Sequence, residues 1–245
     1  MIGHDGLLEA VLRCRSHCNG IECINGRPKL EDRRSTVRPH VDQSTKVGRR
    51  PSTTKDSISA TAIELFVTHG FDETSIDDIA AAAGIARRTF FRYFASKNAV
   101  PWGDFDVHLD DMRAHLSGLS PDLPLAERLT MALLEFNTFP PDQAEKHRKR
   151  MELILTAPAL QAYSLVMYEG WRNVVAEYVA VSTDSKPDDH GPRTAGWMML
   201  GIALAAYEQW LGDDSLALPD LLARGCRLLD SGLAGLVAQT RTDAD

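Results

Sequence analysis

SIDDIAAAAGIARRTFFRYF, residues 75–94, is the stretch that decides the fold. Ile76, Ile79, Ala80 and Ala83 recur at i, i+3, i+4 and i+7, one face of a helix. Gly84 follows at the position where a helix ends in the left-handed conformation that glycine adopts at little cost. Ile85 then returns to the core, and Phe90 and Phe94, four apart, form the buried stripe of a second short helix. The pattern predicts a helix-turn-helix. Its outward stripe carries Arg87, Arg88 and Phe91, and a third row carries Thr89, Tyr93 and Lys97. Arginine bonds guanine O6 and N7 in pairs, and an aromatic edge packs on a thymine methyl. Tyr93 and Lys97 are suited to phosphates, which fix register without reading sequence. The alternative is an ordinary helical hairpin with a solvated arginine pair.

Upstream, Ile58, Ala62, Leu65 and Phe66 make the buried face of a helix predicted over 53–69. Gly70 ends it, and Phe71 is placed to pack back on Phe66. Thr74 or Ser75 is expected to cap the next helix, with Asp77 and Asp78 in its first turn. Their hydroxyls and the free N–H groups there are candidate phosphate contacts.

The residues FVTHGFDETSIDDIAAAAGIARRTFFRYFASK (66–97) resemble the DNA-binding domain of TetR-type regulators. Gly-Phe, Thr-Ser, Ile-Ala-x-x-Ala-Gly and Thr-Phe-Phe-x-Tyr-Phe-x-Ser-Lys all fall in order. Ala86 departs from the pattern where the family often has a capping serine, a loss of about 1 kcal/mol at that helix start. A narrower resemblance, carried by GRRPSTTKD, FRYFASKNAVPWGDFD and TAPALQAYSLVMYEGWR, is to the TetR-type regulators encoded beside mycofactocin biosynthesis. It implies an all-α fold, with an N-terminal three-helix helix-turn-helix domain and a C-terminal helical domain for ligand binding and dimerisation. It also implies double-stranded operator DNA as partner, a homodimer, and a long-chain acyl-CoA-like effector.

The net charge of −7 looks wrong for a DNA binder until it is divided along the chain. Residues 1–55 hold 11 Lys+Arg against 6 Asp+Glu, and the remainder holds 16 against 28. A basic front on an acidic body suits reversible binding to DNA. Residues 1–47 are polar, basic and turn-rich, and are expected to be a disordered extension. Arg49 and Arg50 then form a basic arm suited to a minor groove. Cys14, His17, Cys18 and Cys23 cluster in the extension, but C-x3-C-x4-C matches no common zinc pattern, so no metal is expected. There is no apolar stretch for a signal peptide or a membrane span, and the cytoplasm is the expected location. The expected domains are the extension (1–47), the DNA-binding head (48–95, motif 75–94) and a helical body (96–240).

Pro101 is expected to start the helix that links head to body, with Trp102 and Phe105 at the seam. Asp104, His108, Asp111 and His115 share one face of it, a possible metal set but more commonly a solvated face. From residue 124 on, helices read as 124–137, 143–156, 159–182, 190–212 and 217–239, punctuated by prolines. GWMMLGIALAAYEQWL is apolar nearly all round. With Leu221, Leu222, Leu228, Leu229, Leu233 and Leu236 it suggests half of a four-helix dimer face. Met112, Phe136, Met151, Met167, Trp171 and Trp197 are candidates to line an adaptable apolar pocket. His147, Arg148, Lys149 and Arg150 form the densest basic run of the body. Arg148 and Lys149 are candidates for the coenzyme's phosphates, or else a solvated helix face. No cofactor is expected. The rival classes are a DNA-binding architectural protein without effector and an enzyme built on His108 with Asp104 or Asp111, which lacks a positioned nucleophile.

Overall fold

The computed structural model describes residues 54–231, and every element in that span is helical. Arg49, Arg50, the cysteine cluster, the 1–47 extension, Leu233 and Leu236 lie outside the described residues. The head is α1 (Lys55–His69), α2 (Ile76–Ala82) and α3 (Arg87–Tyr93). A 3-10 turn (Lys97–Trp102) leads to the body: α4 (Phe105–Gly118), α5 (Leu125–Phe136), α6 (Ala144–Thr156), α7 (Pro158–Ser182), α8 (His190–Gly212) and α9 (Leu218–Ser231). No helix among the described residues is long and apolar enough to cross a membrane.

Local chemistry sets the head. Thr54 caps α1 in a reciprocal box with Ser57, and Ser75 caps α2 in one with Asp78. Gly84, at φ +66°, closes α2: the Ile85 N–H reaches the Ala80 carbonyl at 2.9 Å, and the Gly84 N–H the Ala81 carbonyl at 3.1 Å. That is the paired Schellman closure, and it turns the chain into α3. Phe66 and Phe71 meet with ring centroids 4.9 Å apart. Phe90 and Phe94 are buried beside Ile58, Ala62 and Ile79. Ile63 and Ser59 are buried in α1 as well, a wider buried stripe than the periodicity suggested.

Head and body belong to one compact unit. Leu160 of α7 is fully buried in the head's core, and α6 packs against α1. The linker differs from expectation. Pro101 sits inside the 3-10 turn, and the helix starts four residues later at Phe105. The reason is Gly103, at φ +58°, which breaks the helical path. A Cβ there would lie 2.6 Å from an Asp56 carboxylate oxygen. That carboxylate accepts from the Asp104 N–H at 3.2 Å, and Lys55 pairs with Asp104 at 3.1 Å, so α1 is tied to the start of α4. Trp102 is buried at the seam, edge-on to Phe105 and Tyr168.

Leu221 and Leu222 are buried within the chain, which corrects their assignment to a dimer face: the strongly amphipathic α9 turns them onto α8 and α5. α8 is not buried all round either. Gly196 brings it against α7, where an added Cβ would meet the Arg172 carbonyl at 2.9 Å. Trp197 and Met198 point outward, 54% and 48% exposed.

Candidate functional site

The outward face of α3 presents Arg87, Arg88 and Phe91, all exposed, and Thr89 and Tyr93 are half-buried at its edge. Phe91 stays 46% exposed although its neighbour Phe90 is completely buried. The Arg87 guanidinium lies 5.6 Å from the Phe91 ring centroid and bonds Asp77 at 2.7 Å across the turn. α2 thereby orients one arginine, while Arg88 has no ion pair among the described residues. Arg92 stacks at 5.4 Å on Tyr93. The arrangement is a cationic and aromatic ridge on a short rigid helix, the shape that enters a major groove.

Three expected contacts prove to be spent internally. Thr74 is 3% exposed and its hydroxyl donates to the Gly70 carbonyl at 2.7 Å. The Ser75 hydroxyl and N–H both bond the Asp78 carboxylate, at 2.6 and 2.9 Å, and these bonds hold the Asp78 carboxyl below its usual range. The start of α2 is therefore closed by an anion of its own. Lys97 donates to the Phe71, Thr74 and Asp72 carbonyls at 2.7, 3.0 and 3.3 Å, and lies 4.4 Å over the Phe71 ring. An ammonium has three N–H groups, so none is left for a phosphate. Lys97 thus pins the α1–α2 turn.

The body holds a partly open cavity of about 470 Å³, lined by residues of α4, α5, α6, α7 and α8. This is within the range of small-molecule sites. Met112, Phe136, Met151 and Trp171 line it as the sequence suggested, with Ile154, Leu200 and Ala203. Phe136 meets Phe105 and Trp171 edge-on. Met167 packs against the body's core but does not reach the cavity. Trp197 faces outward, with Arg172 stacked 3.7 Å from its ring centroid. Arg148 pairs with Asp214 at 2.6 Å and donates to the Leu211 carbonyl at 3.0 Å. Lys149 pairs with Glu64 of α1 at 3.3 Å and with Glu145 at 3.4 Å, contacts that raise its pKa. Neither side chain lines the cavity, so the expected phosphate cluster is corrected: both are committed to carboxylates.

The sequence reading missed a polar chain in the cavity wall. The Asn137 amide N–H donates to the Leu133 carbonyl at 2.7 Å, leaving its oxygen to accept from the Tyr207 hydroxyl at 2.6 Å. With its proton so placed, the Tyr207 oxygen accepts from His147 Nε2 at 2.7 Å. His147 is therefore the Nε2–H tautomer, neutral, with its pKa pushed down to about 3 by burial and by the nearby Arg150. Burial likewise pushes the Tyr207 hydroxyl up. Arg150, four residues before Ile154, completes this wall, and burial lowers its pKa too. His108, Asp111 and Glu135 are exposed at the rim. Among the described residues no set of ligating side chains is arranged for a metal.

A helix-turn-helix head joined to a helical body around a cavity defines a class of ligand-binding DNA regulators. Sequence comparison agrees with the fold: the chain belongs to the TetR family. The profile described as "Bacterial regulatory proteins, tetR family" matches residues 58–100, and that described as "MftR C-terminal domain" matches residues 123–234. The chain is 51% identical over 195 residues to a Mycobacterium tuberculosis protein named as a candidate mycofactocin biosynthesis transcriptional regulator, MftR; the match spans 80% of this chain and 97% of that one. The fold is similar to that of the fatty acid degradation regulator FadR from Bacillus halodurans (TM-score 0.55, 20% identity, 73% of this chain and 98% of that one). It is also similar to FadR from Bacillus subtilis, solved in complex with stearoyl-CoA (TM-score 0.53, 17% identity, 73% and 98%). The chain is thus a DNA-binding transcriptional regulator and not an enzyme.

Proposed function

We propose that this regulator is a cytoplasmic, homodimeric repressor that leaves its operator when a long acyl chain, carried as an acyl-CoA, fills the body cavity. One observation carries the reading. Helix α6 lines the cavity through His147, Arg150, Met151 and Ile154, and the same helix holds the head through the Lys149–Glu64 pair. A ligand that shifts α6 must therefore shift α1 and the attached reading helix. Ligand would favour a spacing of the two heads that no longer matches successive major grooves. The outward face of α8, with Trp197 and Met198, and the half-buried Leu228 and Leu229 of α9 supply the surface for a second copy. Arg88, Arg87, Phe91, Thr89 and Tyr93 are the residues set to meet the operator, with Arg49 and Arg50 as the arm. The stearoyl-CoA held by a regulator of the same fold supports the ligand class.

The test is titration of the protein on DNA from its own upstream region against acyl-CoAs of increasing length. Each further buried CH₂ is worth about 0.8 kcal/mol, so release should sharpen with chain length until the cavity is full. A response indifferent to chain length, or release by coenzyme A alone, rules the reading out.

A further inference from the structure

The cavity wall holds a cation with no ion-pair partner among the described residues. The Arg150 guanidinium lies in a wall made mostly of apolar and neutral side chains, with Asp111 and Glu135 only at its exposed rim, and no carboxylate among the described residues stands within ion-pair distance of it. Its Nε is buried without an acceptor, and so is the indole N–H of Trp102 in the same wall. The acidic group that its charge feels most is Asp56, and that carboxylate already accepts from the Asp104 N–H. His147 cannot compensate: it is neutral, and its hydrogen goes to Tyr207. A buried cation costs free energy unless paired, and a guanidinium's planar fork fits a carboxylate in two parallel bonds.

We infer that Arg150 is the receptor for a carboxylate, and that the cavity accepts an amphipathic carboxylic acid with its head on the guanidinium and its chain among Met112, Trp171 and Leu200. The unactivated acid is then a ligand in its own right, beside the thioester. A carboxylate is favoured over a phosphate because one guanidinium balances one charge, and the exposed rim carries Asp111 and Glu135. The volume of about 470 Å³ is within the range of sites that hold small amphipathic ligands. This inference rests on the reading of the cavity as the effector site, but it is tested without DNA.

Quenching of tryptophan fluorescence gives the affinities of dodecanoate, 1-dodecanol and dodecyl phosphate for the full chain at pH 7.5. Dodecanoate should bind at least tenfold tighter than the alcohol and tighter than the phosphate. Arg150→Met should remove the preference for the acid while leaving the alcohol within about threefold, and Arg150→Lys should restore part of it. Circular dichroism melting reports whether each variant folds. If Arg150→Met does not fold, the wild-type ranking and Arg150→Lys decide. Equal binding of acid and alcohol, tighter binding of the phosphate, or an unchanged acid preference in either variant overturns the inference. Acid preference without operator release by any ligand would sink the repressor reading and leave this site standing. Release by acyl-CoA without acid preference would do the reverse.

Discussion

Lys97 gives the clearest quantitative prediction, because its position invites one role and its bonds show another. Replacing it with methionine keeps most of the stem and removes the ammonium. Three carbonyls, of Phe71, Asp72 and Thr74, lose their shared donor, and the Phe71 ring loses a cation 4.4 Å away. Hydrogen bonds from charged groups contribute roughly 1.5–3 kcal/mol each, but these three share one half-exposed ammonium and do not add. A total of about 2–3 kcal/mol is expected. Urea denaturation measures it directly. Operator affinity measured against salt separates the two roles: a lost phosphate contact lowers the slope of log K against log salt by about 0.9. Lys97→Met should lower stability and leave that slope unchanged for the folded fraction. A stable variant with a slope reduced by about 0.9 would refute the turn-pinning role.

Arg88 has no ion pair among the described residues and stands outward on α3, so Arg88→Ala should cost about 1–3 kcal/mol on the operator and relax one base position, read by binding to a single-substitution operator series. An unchanged profile would remove Arg88 from the reading face. His147 binds its proton near the ordinary 6.5 in the unfolded chain but only near 3 when folded. The unfolded state therefore binds more protons between these values, and stability is full above about pH 6.5 and falls as pH drops. Between pH 7.5 and 5 the loss from this one group should be about 2 kcal/mol, and His147→Gln should flatten that part of the stability profile. A wild-type profile retained in the variant would contradict the buried neutral imidazole.

The head was legible in the sequence because its signals are local: a glycine forced to φ +66°, a cap three residues before its partner, phenylalanines four apart. The body's helices were legible from prolines and periodicity, to within a few residues of Leu125–Phe136, Ala144–Thr156 and His190–Gly212. The cavity was only half legible. His147, Arg150, Met151 and Ile154 fall at i, i+3, i+4 and i+7, so helical phase alone puts Arg150 on the inner face and turns Arg148 and Lys149 away. Reading the basic run as a block concealed that phase. The Asn137–Tyr207–His147 chain had no local signal, because its members are 70 and 60 residues apart. The internal bonds of Lys97 were hidden for the opposite reason: its spacing of four from Tyr93 suggested a helical face, but α3 ends before it and the 3-10 turn re-aims the side chain.

That the effector acts from this cavity is most directly tested by blocking the place of its chain. Ala203 lines it on α8 and is buried, and Ala203→Phe would place a ring where the acyl chain is expected. Fluorescence anisotropy of labelled operator follows release as dodecanoyl-CoA is added to wild type and variant. Ala203→Phe should keep its operator affinity without ligand and need at least a tenfold higher ligand concentration for release. Release of both proteins at the same ligand concentration would contradict it.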